Sequence, residues 1–565
     1  MHVVATAGHV DHGKSTLVRL LTGMEPDRWA EERRRGLTID LGFAWTELPG
    51  GQELAFVDVP GHERFVPNML AGIGPVPAVL FVVAADGGWM PQSAEHLAAL
   101  DALDVRHGLL VVTRADLADP APATARALEE IAATSLGAVP SVAVSGRTGA
   151  GLDRLRAELA ALVDRLPAPD LAADVRLWVD RSFSVRGAGT VVTGTLTAGR
   201  LRAGDDLVLS STGERVRIRG LQSLGRARPE VDAVARVAVN LRGVEVDRVG
   251  RGDALLTPGV WRTTGEVDVR ATGDLSRNLV LHLGSAAVPV RVRPLGTGTA
   301  RLALTRPLPL RVGDQGLLRD PGGHHVSTGI SVLDVAPPPL DRRGAARIRD
   351  VELTRSDLAE LHLRRHGFVR MADLRTAGLR DVGVPLGDWR ADADLWARLL
   401  ARAADEVSAW RRENPVAGAM PEDVLAHRLA MPRELVGALG VRLAPGDELP
   451  SKVEKALRRL EDDFADCAFA APEAARLVDL GLGARELAAA VRAGRLTRIA
   501  DGVVLGPDAY RRAAEVLAAL PQPFTVSEAR QALATTRRVA VPLLEHLDAQ
   551  RTTTRRPDGT RLLVR

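Results

Sequence analysis

Eight residues, Gly8-His9-Val10-Asp11-His12-Gly13-Lys14-Ser15, match the spacing G-x-x-x-x-G-K-S/T. Their flanks make the pattern a constraint on the fold. The apolar run at residues 2–7 reads as a strand, and the amphipathic stretch from Lys14 reads as a helix. A glycine-rich turn between strand and helix presents backbone N–H groups at a helix N-terminus, which is a cradle for anions. In such a loop the amides wrap phosphates, Lys14 bridges β- and γ-phosphate, and the Ser15 hydroxyl, followed by Thr16, ligates Mg²⁺. A glycine-rich turn without a ligand is the competing reading. Composition adds a hint: among 74 basic residues only Lys14, Lys452 and Lys455 are lysine. A guanidinium does not replace a compact ammonium beside phosphates, although codon bias could also leave a stray lysine.

Up to about residue 166, short apolar runs at 54–59, 79–84, 109–113 and 141–145 alternate with helix-like stretches at 14–21, 93–103, 124–133 and 152–166. That alternation predicts a doubly wound α/β sheet. Residues 167–170 read as a linker. From Val175 to about Leu333, runs rich in Val, Leu and Thr are punctuated by Gly187, Gly189, Gly194, Gly199 and Gly204. They predict two antiparallel β-barrels meeting near Pro258-Gly259. Pro337-Pro338-Pro339 marks the next expected border. Beyond it, helix 484–493 precedes a hairpin at 496–499 and 502–505, and helix 536–548 precedes one at 552–556 and 561–564. Helix then two-stranded wing is the winged form of helix-turn-helix. The expected domains are a P-loop α/β domain at 1–170, β-barrels at 171–258 and 259–338, and a tandem winged-helix region at 339–565.

A chain of 565 residues holds several cores. With 46% hydrophobic and 26% charged residues it reads as an ordinary soluble protein. No apolar run nears the roughly 20 residues that span a bilayer, and no secretory signal is recognised. Cys467, the single cysteine, makes neither an internal disulfide nor a metal cluster, so the cytoplasm is the expected compartment.

Asp58-Val59-Pro60-Gly61 follows the second apolar run. A carboxylate at a strand end can hold Mg²⁺ through a water, and Gly61 lets the backbone approach a γ-phosphate. Thr113-Arg114-Ala115-Asp116 stands where a guanine-reading Asn-Lys-x-Asp would lie. Asp116 can accept both N1–H and N2–H of guanine, a pattern adenine does not complete; a helix cap is the alternative. Ser145-Gly146-Arg147 occupies the place where a backbone N–H would meet guanine O6.

With Arg35-Gly36-Leu37-Thr38-Ile39-Asp40 and Asp58-Val59-Pro60-Gly61-His62-Glu63, the loop at 8–15 resembles the translational GTPases, the class of elongation factor Tu. The resemblance implies that GTP and Mg²⁺ are the cofactors and that Thr38 ligates Mg²⁺ in the GTP state. It also implies that His62 positions the attacking water once the ribosome's sarcin–ricin loop docks, with Val10 and Leu37 as an apolar gate. Positioning is most of what phosphoryl transfer asks of a protein; a surface histidine in a mobile loop is the alternative. The stretch from Arg186-Gly187-Ala188-Gly189 to Thr195 resembles the second domain of that class.

The helical tail, Thr113-Arg114 and the run Arg537-Arg538-Val539-Ala540-Val541-Pro542-Leu543-Leu544-Glu545 look like the bacterial selenocysteine-specific elongation factors, the SelB family. That resemblance implies delivery of selenocysteyl-tRNA to a ribosome at UGA codons marked by an mRNA hairpin, the SECIS element, by a monomer with no membrane partner. It makes Asp180, Arg181 and Arg236 residues of the aminoacyl pocket, where fixed positive charge would select an ionised selenol over serine; barrel-surface ion pairs are the alternative. Between residues 530 and 565 stand eight arginines against Glu545, Asp548 and Asp558. Such a basic surface fits RNA phosphates, with Arg537, Arg538, Arg551, Arg555 and Arg556 as the contacts, unless it is a solvated face. The rival functions are a general tRNA-delivery or initiation GTPase with an accessory tail, and a nucleotide-switched winged-helix DNA regulator.

Overall fold

A computed structural model describes residues 1–26, 38–271, 275–322, 325–444 and 448–564. The chain divides into two compact units, Met1–Arg390 and Ala391–Arg565.

The first unit begins with a six-stranded sheet: β1 (His2–Ala7), β2 (Gly42–Glu47), β3 (Glu53–Asp58), β4 (Ala78–Ala84), β5 (Gly108–Thr113) and β6 (Ser141–Ala143), in the order β2-β3-β1-β4-β5-β6. Only β2 runs antiparallel to its neighbour. All seven residues of β4 are buried, as in strands covered on both faces. The covering helices are α1 (Lys14–Thr22), α2 (Val66–Ile73), α3 (Pro91–Ala102), α4 (Pro120–Ala132) and α5 (Leu152–Asp164). Successive strand residues feed opposite cores: Val3, Ala5 and Phe81 pack with Met69 and Leu100, whereas Val4 and Leu80 pack with Leu17 and Leu159. The loops after β1, β3 and β5 thus gather at the carboxyl edge of the sheet, where ligands bind in open α/β folds.

Two antiparallel sheets follow. The first is built from β7 (Arg176–Val185), β8 (Gly189–Leu196), β9 (Arg200–Arg202), β10 (Asp206–Leu209), β11 (Arg215–Ser223), β12 (Arg226–Arg228), β13 (Glu230–Asp232), β14 (Ala235–Arg242) and β15 (Ala254–Leu256), with buried and more exposed residues alternating along β11 and β14. The order is β10-β15-β7-β8-β14-β11-β12, and pairing of β10 with β11 closes the ring; β9 and β13 pair separately. The second is a closed barrel, β16-β19-β18-β17-β20-β21, built from β16 (Thr263–Ala271), β17 (Asn278–Leu283), β18 (Ala286–Pro294), β19 (Thr299–Pro309), β20 (Gln315–Asp320) and β21 (His325–Asp334).

The border expected at Pro337–Pro339 is not where the structure divides. Helices α6 (Ala345–Arg355), α7 (Leu358–His366) and α8 (Met371–Ala377), with the small strands β22 (Phe368–Arg370), β23 (Val384–Leu386) and β24 (Trp389–Ala391), follow the barrel, and residues up to Arg390 belong to its unit. A buried charge cluster explains the attachment. The fully buried Asp268 on β16 accepts from Arg301 at 2.7 Å and from Arg349 of α6 at 2.8 Å. Arg301 also donates to the Pro338 carbonyl at 2.7 Å, and Leu353 and Leu361 pack on Leu295 and Leu333. Stripping the partner from a buried guanidinium costs about 3–5 kcal/mol, so these pairs hold the segment firmly.

The second unit holds α9 (Ala393–Glu413), α10 (Glu422–Leu429), and then the order helix-helix-helix-hairpin twice. The first pass is α11 (Ser451–Asp466), α12 (Ala474–Asp479) and α13 (Ala484–Arg492) with β25 (Thr497–Ala500) and β26 (Val503–Leu505). The second is α14 (Ala509–Ala518), α15 (Val526–Ala532) and α16 (Arg537–Ala549) with β27 (Thr553–Arg555) and β28 (Arg561–Leu563). One core, including Leu457, Leu460, Leu517, Phe524 and Leu543, joins both passes. A capping box between Thr525 and Glu528 starts α15.

Candidate nucleotide site and flanking surfaces

The loop after β1 is shaped by close approach. At Gly8 (φ +128°) a Cβ would stand 2.1 Å from the Val82 carbonyl oxygen, so only glycine fits. Gly13 (φ +82°) opens α1. Lys14 is buried and its Nζ donates to the carbonyls of Gly8 (2.9 Å) and His9 (2.8 Å), within the loop it is expected to serve. Burial pulls its ammonium down to about 8 against the attraction of Asp58 and Asp11. Helix α3 braces the loop from behind: Gln92 Oε1 accepts from Val10 N–H, and His96 Nδ1 accepts from Gly8 N–H, both at 3.1 Å. Burial pushes His96 down to about 3, so its imidazole is neutral and able to accept. Neither brace carries a local sequence signal, because each lies more than 80 residues from the amide it holds. His9 and His12 pack ring to ring at 5.0 Å, burial drives His12 to about 4, and Thr16 is exposed on α1.

Beyond the lysine stands a carboxylate with spare capacity. Asp58 ends β3 fully buried, and its Oδ1 accepts from Thr6 at 2.7 Å. Its Oδ2 has no hydrogen-bond partner. Burial raises this carboxyl, while the nearby hydroxyls of Ser15 and Thr6 and the Lys14 ammonium pull it back. The Ser15 and Thr38 hydroxyls share a hydrogen bond of 2.9 Å. Two hydroxyls and an unsatisfied buried carboxylate oxygen form a hard oxygen donor set that suits Mg²⁺. Gly61 closes in from the other side: a Cβ there would lie 2.4 Å from Lys14 Nζ and 2.7 Å from Val10 N. His62 follows, half-buried, with its Nδ1 accepting from Arg64 N–H at 3.2 Å and its ring 6.0 Å from Phe65. Of the expected gate, Leu37 lies outside the described residues, as do Arg35 and Gly36.

At the end of β5 the departures from Asn-Lys acquire roles. The Thr113 hydroxyl donates to the His12 carbonyl at 2.7 Å, and Arg114 reaches the Asp11 carbonyl and the Asp86 carboxylate (3.0 Å). Both brace the phosphate loop. Asp116 is exposed, oriented by the buried Ser145, whose hydroxyl donates to it at 2.7 Å. Ser145 Oγ also accepts from Arg147 N–H at 3.3 Å, and Gly146 packs near Leu20.

On the first barrel, Arg236 grips Asp180 bidentately and donates to Thr195 at 3.2 Å, its guanidinium 3.9 Å from the Phe43 ring centre. Arg181 donates to Asp40 (3.1 Å) and to the Leu41 carbonyl (3.0 Å), while Arg251 binds the other Asp40 oxygen at 2.6 Å. Both expected pocket arginines are therefore engaged, Arg181 by the segment that follows Thr38. In the second unit, Arg537 and Arg538 open α16 exposed, and Arg551, Arg555 and Arg556 are exposed around the last hairpin. Arg561 differs: buried, it holds Asp548 at 2.8 Å as a strut. Arg565 lies outside the described residues.

Comparison with known proteins agrees with this geometry. Residues 1–168 match the elongation factor Tu GTP-binding domain, 189–256 match elongation factor Tu domain 2, and 515–562 match the winged helix of elongation factor SelB. The selenocysteine-specific elongation factor of Desulfomicrobium baculatum is 36% identical over 419 residues, covering 70% of this chain and 64% of the relative. Elongation factor Tu 2 of Streptomyces avermitilis is 32% identical over 375 residues, 58% of this chain and 95% of the relative. The crystal structure of a bacterial selenocysteine-specific elongation factor, EF-Sec, superposes with a TM-score of 0.79 at 26% identity, covering 100% of each chain. The chain belongs to the translational GTPases of the elongation factor Tu class, and within that class it is similar to the selenocysteine-specific SelB factors. It spans just under two thirds of the length of the Desulfomicrobium baculatum relative. Among the described residues no helix is long and apolar enough to cross a membrane.

Proposed function

We propose that this chain is a cytoplasmic, monomeric factor that binds GTP, carries selenocysteyl-tRNA to a ribosome translating a UGA codon marked by a SECIS hairpin, and hydrolyses GTP when the ribosome engages it. The observation that carries the reading is one chain holding both the Gly8–Ser15 loop, with Lys14 and Gly61 in close approach, and a C-terminal helix-hairpin unit that resembles the SelB winged helix. Residues 8–16 hold the phosphates through backbone N–H groups and Lys14. Asp116, oriented by Ser145, reads the guanine edge, with Gly146 and Arg147 beside it. Ser15, Thr38 and, through water, Asp58 hold Mg²⁺, which when bound offsets negative charge on the β- and γ-phosphates. His62 aligns the attacking water when the ribosome's sarcin–ricin loop docks, acting through position rather than proton transfer.

In this reading the nucleotide domain is residues 1–170, the tRNA-binding barrel 171–258 and the second barrel 259–338. The aminoacyl pocket is built on Asp180, Arg181 and Arg236, whose guanidiniums would meet the selenolate when Asp40 and Asp180 yield them. The tail carries tandem winged helices, α11–β26 and α14–β28, with Arg537, Arg538, Arg551, Arg555 and Arg556 against hairpin phosphates. The test is single-turnover GTP hydrolysis on ribosomes programmed with UGA, with and without the hairpin. Hydrolysis should be faster with the hairpin, and His62→Ala should slow it while leaving GTP affinity intact. Equal rates with and without the hairpin would favour a general tRNA-delivery factor.

A further inference from the structure

A groove of about 750 Å³ opens on the outer face of the closed barrel, walled on one side by Pro339 and Leu340. Its volume lies within the range of small-molecule sites. The alternation of β18 turns Arg291 and Arg293 outward into it, and the exposed Arg277 enters from the segment before β17. In register, Arg293 lies opposite Arg301, placing like charges across neighbouring strands. Such a pairing is destabilising on its own. Arg301 is already saturated by Asp268 and the Pro338 carbonyl, which also pins the 338–340 strap at the groove. Among the described residues, Arg277, Arg291 and Arg293 form no ion pair. Glu266 and Asp341 also line the groove, but Glu266 is drawn to Arg301 at 3.6 Å, so the three exposed guanidiniums keep donors free for a ligand.

We propose that this groove is a second anion site, distinct from the Gly8–Ser15 loop, that binds a small organic phosphate of nucleotide size. The phosphate oxygens meet Arg291, Arg293 and Arg277, whose planar donor forks suit phosphate geometry. The apolar body of the ligand lies on Leu275 and Leu340, and Glu266 and Asp341 face its hydroxyl groups.

The test is calorimetric titration of the full-length protein, carrying one equivalent of GDP in the phosphate loop, with ADP and with inorganic pyrophosphate. One ADP should bind per chain, more tightly than pyrophosphate because only ADP uses the apolar wall. The double variant Arg291→Ala/Arg293→Ala should weaken ADP binding about tenfold or more while GDP affinity stays at the parental value. Absence of saturable ADP binding at millimolar concentration, or ADP affinity unchanged in the double variant, overturns the proposal. So does a double variant that loses affinity for transfer or hairpin RNA when the parent binds no ADP, because the arginines would then serve an RNA backbone.

Discussion

Gly61→Ala tests the close approach on which the nucleotide site depends. The added methyl would sit 2.4 Å from Lys14 Nζ, 2.7 Å from Val10 N and 2.9 Å from Val10 Cα, all inside the 3.0 Å that real Cβ atoms respect. Lys14 has little room to yield, since it is buried and held by the Gly8 and His9 carbonyls. Val10 has little more, because its N–H is tied to Gln92. Either the loop after β3 retreats or the lysine is displaced, and overpacking of this kind costs about 1–3 kcal/mol. Charged to the liganded state, that predicts a loss of GTP affinity of about 5- to 150-fold. GDP should suffer less, because Gly61 faces the γ-phosphate end. Equilibrium titrations with fluorescent GTP and GDP measure both. Affinities within twofold of the parent for both nucleotides would refute the idea that Gly61 lies against a bound triphosphate.

Asp116→Asn should shift preference from GTP toward XTP, because xanthine offers an acceptor where guanine has its N2 donor; paired dissociation constants decide it, and unchanged discrimination removes Asp116 from the base site. Arg537→Ala/Arg538→Ala should weaken hairpin RNA binding and flatten its salt dependence by about one unit of slope for each phosphate no longer neutralised, read from titrations at several salt concentrations. Parental affinity and slope would leave those arginines a solvated surface. His96 is held at about 3 in the fold against 6.5 for a free imidazole, and His12 and His282 at about 4. A depressed folded value means that their contribution is complete above pH 6.5 and is lost as pH falls toward 4. The urea midpoint should drop over that window, less steeply in His96→Gln, which keeps an acceptor for Gly8 N–H; identical slopes would exclude His96.

The nucleotide site was legible where its chemistry is local. The loop at 8–15, Asp58 to Gly61, and Asp116 with Ser145 each announce themselves within a few residues, and the structure gathers them at one sheet edge. The braces were not legible, since Gln92 and His96 act across more than 80 residues and look like ordinary helix positions. Thr113 and Arg114 stand in the sequence where a base-recognition motif would have Asn and Lys, and only the fold shows that their partners are the carbonyls of His12 and Asp11. Proline content suggested a linker at 337–339. Burial of Asp268 between Arg301 and Arg349, a long-range charge cluster with no sequence pattern, ties the helices beyond that linker to the barrel. The repeated helix-hairpin order of the tail was readable because strand and helix periodicities alternate there, but Arg561 counted as surface charge and is a buried strut.

Discrimination of one aminoacyl group is read most directly by filter binding of selenocysteyl-tRNA against seryl-tRNA on the same tRNA body with GTP present. The two ligands differ only in a selenol against a hydroxyl. Selenocysteyl-tRNA should bind at least about tenfold more tightly, about 1.4 kcal/mol or more, with the preference reduced by Arg236→Ala. Equal affinity for the two aminoacyl-tRNAs would contradict that preference.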